Sequence, residues 1–288
     1  MTAQSSAPPL VSAHQLAAAL GAADLTIVDA SWYLASAGRD ADAEYRIAHV
    51  PGAVRMGLEL ISDPNSDLPH MLPSADRFAV ACETLGIGPH HRVVIYDGSG
   101  TNLSAARAWW TFRVFGHRNV SVLDGGFRAW AGATRPVQMG LQRRSRTGYP
   151  LPAVDRALVV GREEVEAVSA GTLDAQLVDC RSAERFSGKV DEPRPGLRRG
   201  HIPGSRNIPF EMFTNRGTGR MHAVPVLREL LHEQGLDPAR RIIATCGSGV
   251  SACVLALAVE VIRSEDPEAV GPPVAIYDGS WAEYGRIG

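Results

Sequence analysis

The side chains best suited to chemistry converge on one stretch, Ala244-Thr-Cys-Gly-Ser-Gly-Val-Ser-Ala252. The apolar run Arg241-Ile-Ile precedes it and the apolar segment from Ala252 to Ile262 follows, so strand, tight turn and helix succeed one another with Cys246 at the turn. Unpaired backbone N–H groups at the amino end of a helix favour an anion, and a cysteine thiolate is such an anion. Gly247 and Gly249 lack the Cβ atoms that would keep the backbone from curling round the sulfur. Ser248 and Ser251 add hydroxyls, and Val250 completes the loop. A lone cysteine is more often a small buried core residue, but two glycines and two hydroxyls in the next five positions turn the balance toward a sulfur nucleophile, exposed at the bottom of a bowl.

The elements that must position this loop occur twice. Leu177-Val-Asp179 repeats Ile27-Val-Asp29, His201-Ile-Pro-Gly204 repeats His49-Val-Pro-Gly52, Arg241-Ile-Ile-Ala-Thr-Cys246 repeats Arg92-Val-Val-Ile-Tyr-Asp97, and Ile276-Tyr-Asp-Gly-Ser-Trp281 repeats Val122-Leu-Asp-Gly-Gly-Phe127, at offsets of 149 to 154 residues. Apolar strands such as Leu25-Thr-Ile-Val-Asp29 alternate with helical segments, which predicts an α/β class with a parallel sheet flanked by helices in each copy. Ligands of such sheets bind at the carboxyl ends of strands, where Cys246 falls. Asp97 stands at the position of Cys246 and cannot act as a sulfur nucleophile, so residues 10–133 read as a non-catalytic domain and 158–288 as the catalytic one. Residues 134–157, rich in Pro and Arg with little apolar pattern, read as a solvated linker. Residues 1–9 read as a frayed end and Ser12 as the cap of a first helix. The stretch after Asp29, through Trp32, Arg39 and Asp40 to His49-Val-Pro-Gly52, and Asp63 to Pro73 read as loops, and Ser264 to Pro273 as a surface insertion. Asp29 and Asp179 read as ligands of strand-end turns.

A chain of 288 residues, 45% hydrophobic and 21% charged, is a soluble globular protein large enough for two domains. A formal net charge of -2 argues against nucleic acid as partner, and neither a membrane span nor a signal peptide is visible, which reads as cytosolic. Cys82, Cys180, Cys246 and Cys253 form no C-x-x-C pair and lack histidines at zinc spacing, so they read as reduced thiols and no metal is expected.

Between Asp179 and His201 lies an arginine-rich string, Arg181-Ser-Ala-Glu-Arg-Phe-Ser-Gly-Lys-Val-Asp-Glu-Pro-Arg194. Arginine forks match carboxylates bidentately. This string and the Cys246-Gly-Ser-Gly-Val-Ser-Ala252 loop together resemble the tandem rhodanese-domain sulfurtransferases, most closely those that use 3-mercaptopyruvate. The likeness covers nearly the whole chain. Ser251 stands where the family usually has Thr, which keeps the hydroxyl, and Glu184 where it often has Gly. The resemblance implies two tandem rhodanese-like domains, with Arg185 and Arg194 as binders of the substrate carboxylate and Arg181 as a weaker candidate. It implies that Cys246 takes sulfur from 3-mercaptopyruvate, releases pyruvate, and as a persulfide passes the sulfur to cyanide, a thiol or a thioredoxin-like protein. Backbone N–H groups of Gly247 to Ala252 would hold the persulfide charge. Ser248 is the candidate for moving the proton, and His49 and Asp40 match a relay from the first domain. The resemblance calls for no metal or organic cofactor, and the protein is expected to act as a monomer or weak homo-oligomer on a small-molecule sulfur donor.

Two alternatives stay open. Thiosulfate sulfurtransferases resemble this chain too but carry basic residues after the cysteine, where Gly247 and Ser248 are neutral; a non-catalytic sulfur-relay module is the other. A cysteine phosphatase or arsenate reductase would need arginine at the sixth position after the cysteine, and that position is Ala252.

Overall fold

The computed structural model describes residues 7–132, 134–266 and 269–287. The chain divides into two compact units. One comprises residues through Pro64, Leu72–Val154 and Asn215–Met221; the other comprises Asn65–Met71, Asp155–Thr214 and His222 onward.

Unit 1 runs β1 (Leu10–Val11), α1 (Ala13–Ala19), β2 (Leu25–Asp29), α2 (Ala41–Ile47), β3 (Val54–Arg55), α3 (Ala75–Thr84), β4 (Arg92–Tyr96), α4 (Leu103–Val114), β5 (Val120–Leu123) and α5 (Gly126–Ala131). Its five strands form one parallel sheet in the order β1-β5-β4-β2-β3. Every residue of β2 is buried, as its continuous apolar run requires. Ser12 closes the expected capping box with Gln15, and Ser74 caps α3. Two expectations need correction. Residues 7–9 are not frayed, because the carbonyls of Pro8 and Pro9 accept from Ser121 Oγ at 2.6 Å and Val122 N at 2.8 Å. The stretch from Asp29 to Gly52 is not all loop, because Asp40 caps α2 by accepting from Asp42 N and Ala43 N.

Residues 134–154 belong to unit 1 and are mostly exposed, but they are tied to it at several points. Gln138 exchanges both backbone hydrogen bonds with His49, and its side chain accepts from Gly52 N at 2.7 Å. Tyr149 is buried against Phe78 and donates to or accepts from His117 Nδ1 at 3.0 Å. Burial holds the His117 imidazole down, at about 4 against its ordinary 6.5. The folded state therefore binds fewer protons than the unfolded chain between those values, and stability falls as pH drops through that window. The loss should reach about 3 kcal/mol. Denaturant unfolding of wild type and His117→Gln across pH 4 to 7 checks this; an equally steep acid loss in the variant would show that His117 is not its source.

Unit 2 runs β6 (Val159–Val160), α6 (Arg162–Ser169), β7 (Gln176–Asp179), α7 (Ala183–Phe186), β8 (Arg206–Asn207), α8 (Val224–Glu233), β9 (Ile242–Thr245), α9 (Ala252–Glu265), β10 (Ala275–Tyr277) and α10 (Ser280–Tyr284). Its parallel sheet has the corresponding order β6-β10-β9-β7-β8. Both units are thus the expected α/β repeat. Trp281 and Tyr277 pack with Val165, Leu177 and Ile243 in its core. α9 is buried on nearly all sides, which suits its unbroken apolar sequence. Of the expected insertion, residues 264 and 265 complete α9, and Pro267 and Glu268 lie outside the described residues. Among the described residues no helix is long and apolar enough to cross a membrane.

Candidate active site

Cys246 follows the last residue of β9, and the turn reaches α9 at Ala252, as the strand-turn-helix pattern requires. The loop is held by a residue the sequence pattern did not mark. Ser280 Oγ accepts from Cys246 N at 3.2 Å and from Gly249 N at 3.0 Å, and donates to the Tyr277 carbonyl at 2.7 Å. The next two residues return the contact: Trp281 N donates to the Cys246 carbonyl and Ala282 N to the Gly247 carbonyl. Ser280 has a φ of 50°, a left-handed conformation uncommon for a non-glycine residue, and its bonds to both sides hold it there. Gly249, at a φ of 71°, makes the reversal that lets the loop curl.

Among the described residues, the N–H groups of Gly247, Ser248, Val250 and Ser251 have no hydrogen-bond acceptor within the protein. Unpaired N–H groups of this kind at the amino end of a helix favour an anion. Gly249 is not among them, because Ser280 takes its N–H. The expected exposure of the nucleophile also needs correction: Cys246 is only 1% exposed, since the loop closes round it. Ser280→Ala would leave two buried N–H groups unsatisfied, a loss of at least about 2 kcal/mol. Urea unfolding and turnover should both register it; wild-type stability and rate would mean that the hydroxyl does not hold the loop.

Arg185 lies over Gly247. A Cβ built at that glycine would come 2.8 Å from the Arg185 Nη2, so any side chain there must push the guanidinium aside. Glu192 fixes this arginine, accepting from its Nε at 3.2 Å and its Nη2 at 2.5 Å. Arg194 is half-buried, and burial holds its basicity below the ordinary value while the charge of Cys246 acts in the opposite sense. Arg185 thus lies over the Cys246 loop, and the charge of Arg194 interacts with that of Cys246. Arg181 does not offer itself to a ligand: its side chain is fully buried and paired with Asp179 at 2.6 Å and Glu192 at 2.7 Å. It acts as the strut that positions Glu192, and Asp179 is a turn ligand, accepting from Arg181 N at 2.9 Å.

The histidine beside the loop is His70, from the segment Asn65–Met71. Its Nδ1 stands 3.2 Å from Ser248 Oγ. The sequence pointed instead to His49 and Asp40. His49 is wholly buried in unit 1, stacked on Tyr45 with Nδ1 at 2.8 Å from the Tyr45 carbonyl, and Asp40 is the cap of α2. The cap accounts for Asp40, whereas the buried Nε2 of His49 has no hydrogen-bond partner among the described residues.

Unit 1 shows what the loop becomes without a cysteine. The Asp97 carboxylate accepts from Ser99 N, Ser99 Oγ, Ser104 Oγ and Ala105 N at 2.6 to 3.2 Å, filling the turn with its own anion. Arg39, which donates to the Gly98 carbonyl, is paired with Glu44.

The Rhodanese-like domain signature matches residues 12–133 and 163–286. This chain is a member of the rhodanese family. Two copies of the family's domain in tandem account for the internal repeat and for the shared strand order. Among curated relatives, this rhodanese-family chain is 41% identical over 284 residues to 3-mercaptopyruvate sulfurtransferase of Rattus norvegicus, covering 96% of this chain and 91% of that one. It is 38% identical over 289 residues to thiosulfate sulfurtransferase of Gallus gallus, covering 98% and 95%. The crystal structure of SseA from Escherichia coli, described with the rhodanese fold and mechanism of 3-mercaptopyruvate sulfurtransferases, superposes with a TM-score of 0.83 at 34% identity, covering 95% of this chain and 98% of that one.

Proposed function

We propose that the protein is a sulfurtransferase that takes sulfur from 3-mercaptopyruvate onto Cys246 and passes it to a thiophilic acceptor. The observation that carries this is the junction of a cysteine, a cradle of unpaired N–H groups and two arginines in one unit. The relatives named for mercaptopyruvate in rat and Escherichia coli support the same donor.

The substrate carboxylate binds Arg185 and Arg194, which puts its thiol sulfur at Cys246. The Cys246 thiolate attacks that sulfur and the carbon–sulfur bond breaks, leaving its electron pair on carbon as the pyruvate enolate. The Ser248 hydroxyl, hydrogen-bonded to His70, moves the proton that turns enolate into pyruvate. The persulfide anion that remains is held by the N–H groups of Gly247, Ser248, Val250 and Ser251. In the second half of the cycle, cyanide, a small thiol or a thioredoxin-like protein attacks the outer sulfur and restores the thiolate.

The catalytic domain in this scheme is 158–288 together with the segment Asn65–Met71 that carries His70, with 134–157 as connector and the rest of 10–133 as a non-catalytic domain whose loop is closed by Asp97. The donor is tested by kcat/KM with 3-mercaptopyruvate and with thiosulfate, cyanide serving as acceptor. The expected result is a preference for mercaptopyruvate. A preference for thiosulfate, the donor named for the Gallus gallus relative, would mean that the neutral Gly247 and Ser248 do not select the donor. Sulfur passed to a protein partner without steady-state turnover would mark a relay module instead.

A further inference from the structure

β7 and β9 lie side by side with Asp179 opposite Thr245. The ladder continues one step further, where Cys180 N donates to the Thr245 carbonyl at 2.8 Å. In a parallel pair that bond sets Cys180 opposite Cys246. Adjacent strands stand about 5 Å apart, inside the roughly 4.4–6.8 Å range of Cα separations that a disulfide can join. Both cysteines stand one step past the registered pair that ends the two strands, at the sheet's carboxyl edge. Both cysteines are buried. Burial, reinforced by the charge of Cys246, holds the Cys180 thiol well above its ordinary range, so Cys180 keeps its proton.

Unit 1 again supplies the contrast. There the same bond runs from Ala30 N to the Tyr96 carbonyl at 2.8 Å, and the facing pair is Ala30 and Asp97. The paired thiols occur in the unit that carries the nucleophile. Cys253 is placed differently, on α9, with its Sγ donating to the Gly249 carbonyl at 3.2 Å.

We propose that Cys180 is an internal resolving thiol, which turns a Cys246 persulfide that meets no acceptor into a Cys180–Cys246 disulfide and releases hydrosulfide. This rests on the persulfide chemistry proposed above. The Cys180 thiol gives its proton to the anionic outer sulfur of the persulfide, and the resulting thiolate attacks Sγ of Cys246. The bond from Sγ to the outer sulfur breaks, its electron pair leaves on the outer sulfur, and the Cys180 proton goes with it. One persulfide anion and one thiol become one disulfide and one hydrosulfide; the outer sulfur is reduced as the two cysteines are oxidised. The disulfide withholds the nucleophile until an external dithiol reduces it.

The test treats wild type, Cys180→Ser, Cys180→Ala and Cys253→Ala with one equivalent of 3-mercaptopyruvate and no acceptor. Pyruvate is measured first, then intact mass and free sulfide over time. Wild type and Cys253→Ala should pass from one added sulfur to the loss of two hydrogens, with one sulfide per chain and a peptide joining Cys180 to Cys246. The Cys180 variants should keep the added sulfur at least about tenfold longer. A pyruvate burst followed by equal persulfide lifetimes in wild type and Cys180→Ser, or a disulfide mapped elsewhere, overturns the proposal. If the variants fold poorly, the disulfide map of the wild-type protein decides. No pyruvate burst from wild type overturns the sulfur-transfer function itself, and this proposal with it.

Discussion

Cys246→Ser is expected to remove sulfur transfer, lowering kcat with either donor by at least roughly 10³-fold, because binding and oxyanion stabilisation alone remain when a nucleophile is deleted. A serine hydroxyl occupies nearly the same space, so the cradle and its Ser280 anchor should persist. The variant should therefore unfold at the wild-type denaturant midpoint and still bind pyruvate. Retained turnover would remove Cys246 from the mechanism altogether. No other cysteine is placed to substitute for it: Cys82 belongs to α3 of unit 1, Cys253 is turned toward the Gly249 carbonyl, and Cys180 is fully buried.

The second large effect is expected at the arginine pair. Charge-assisted hydrogen bonds to a carboxylate contribute about 1.5–3 kcal/mol each, so Arg194→Met should lower kcat/KM for 3-mercaptopyruvate by roughly 10- to 100-fold. Arg185→Met should be at least as costly, because it also leaves the buried Glu192 with Arg181 as its remaining partner. The loss should fall mainly on KM if the arginines bind ground state and transition state alike, and on kcat if they also aim the sulfur. Steady-state kinetics with both donors separates these cases. Unchanged kcat/KM in both variants would place the carboxylate elsewhere.

The parts of the site visible in the sequence are those encoded in consecutive residues. The Cys246 loop is legible because its glycines and hydroxyls are contiguous, and the arginine string is legible because Arg185, Glu192 and Arg194 sit in one short segment. The repeat made the fold legible through matched strand ends, and both sheets follow it. What stayed hidden depends on contacts across the chain. Ser280 reaches the loop from 34 residues away, and its counterpart in the other repeat is Gly126, so the repeat gave no sign of its hydroxyl. His70 meets Ser248 across 178 residues, from a segment whose Pro, Asp and Asn content reads as plain loop. The role of Arg181 depended on Asp179 and Glu192 enclosing it, which charge pattern alone cannot express. The facing of Cys180 and Cys246 is a matter of strand register, and register is a property of the sheet. The short β1 and helix α2 were missed for a local reason: two residues carry no periodicity, and α2 buries only Tyr45.

The most direct test is to mix the protein with one equivalent of 3-mercaptopyruvate, quench at once with an alkylating reagent, and map the labelled peptides by mass while counting pyruvate. The expected result is one pyruvate per chain and one additional sulfur on the peptide containing Cys246. Pyruvate formed without sulfur on Cys246, or sulfur carried by another cysteine, would contradict the assignment of Cys246 as the sulfur carrier.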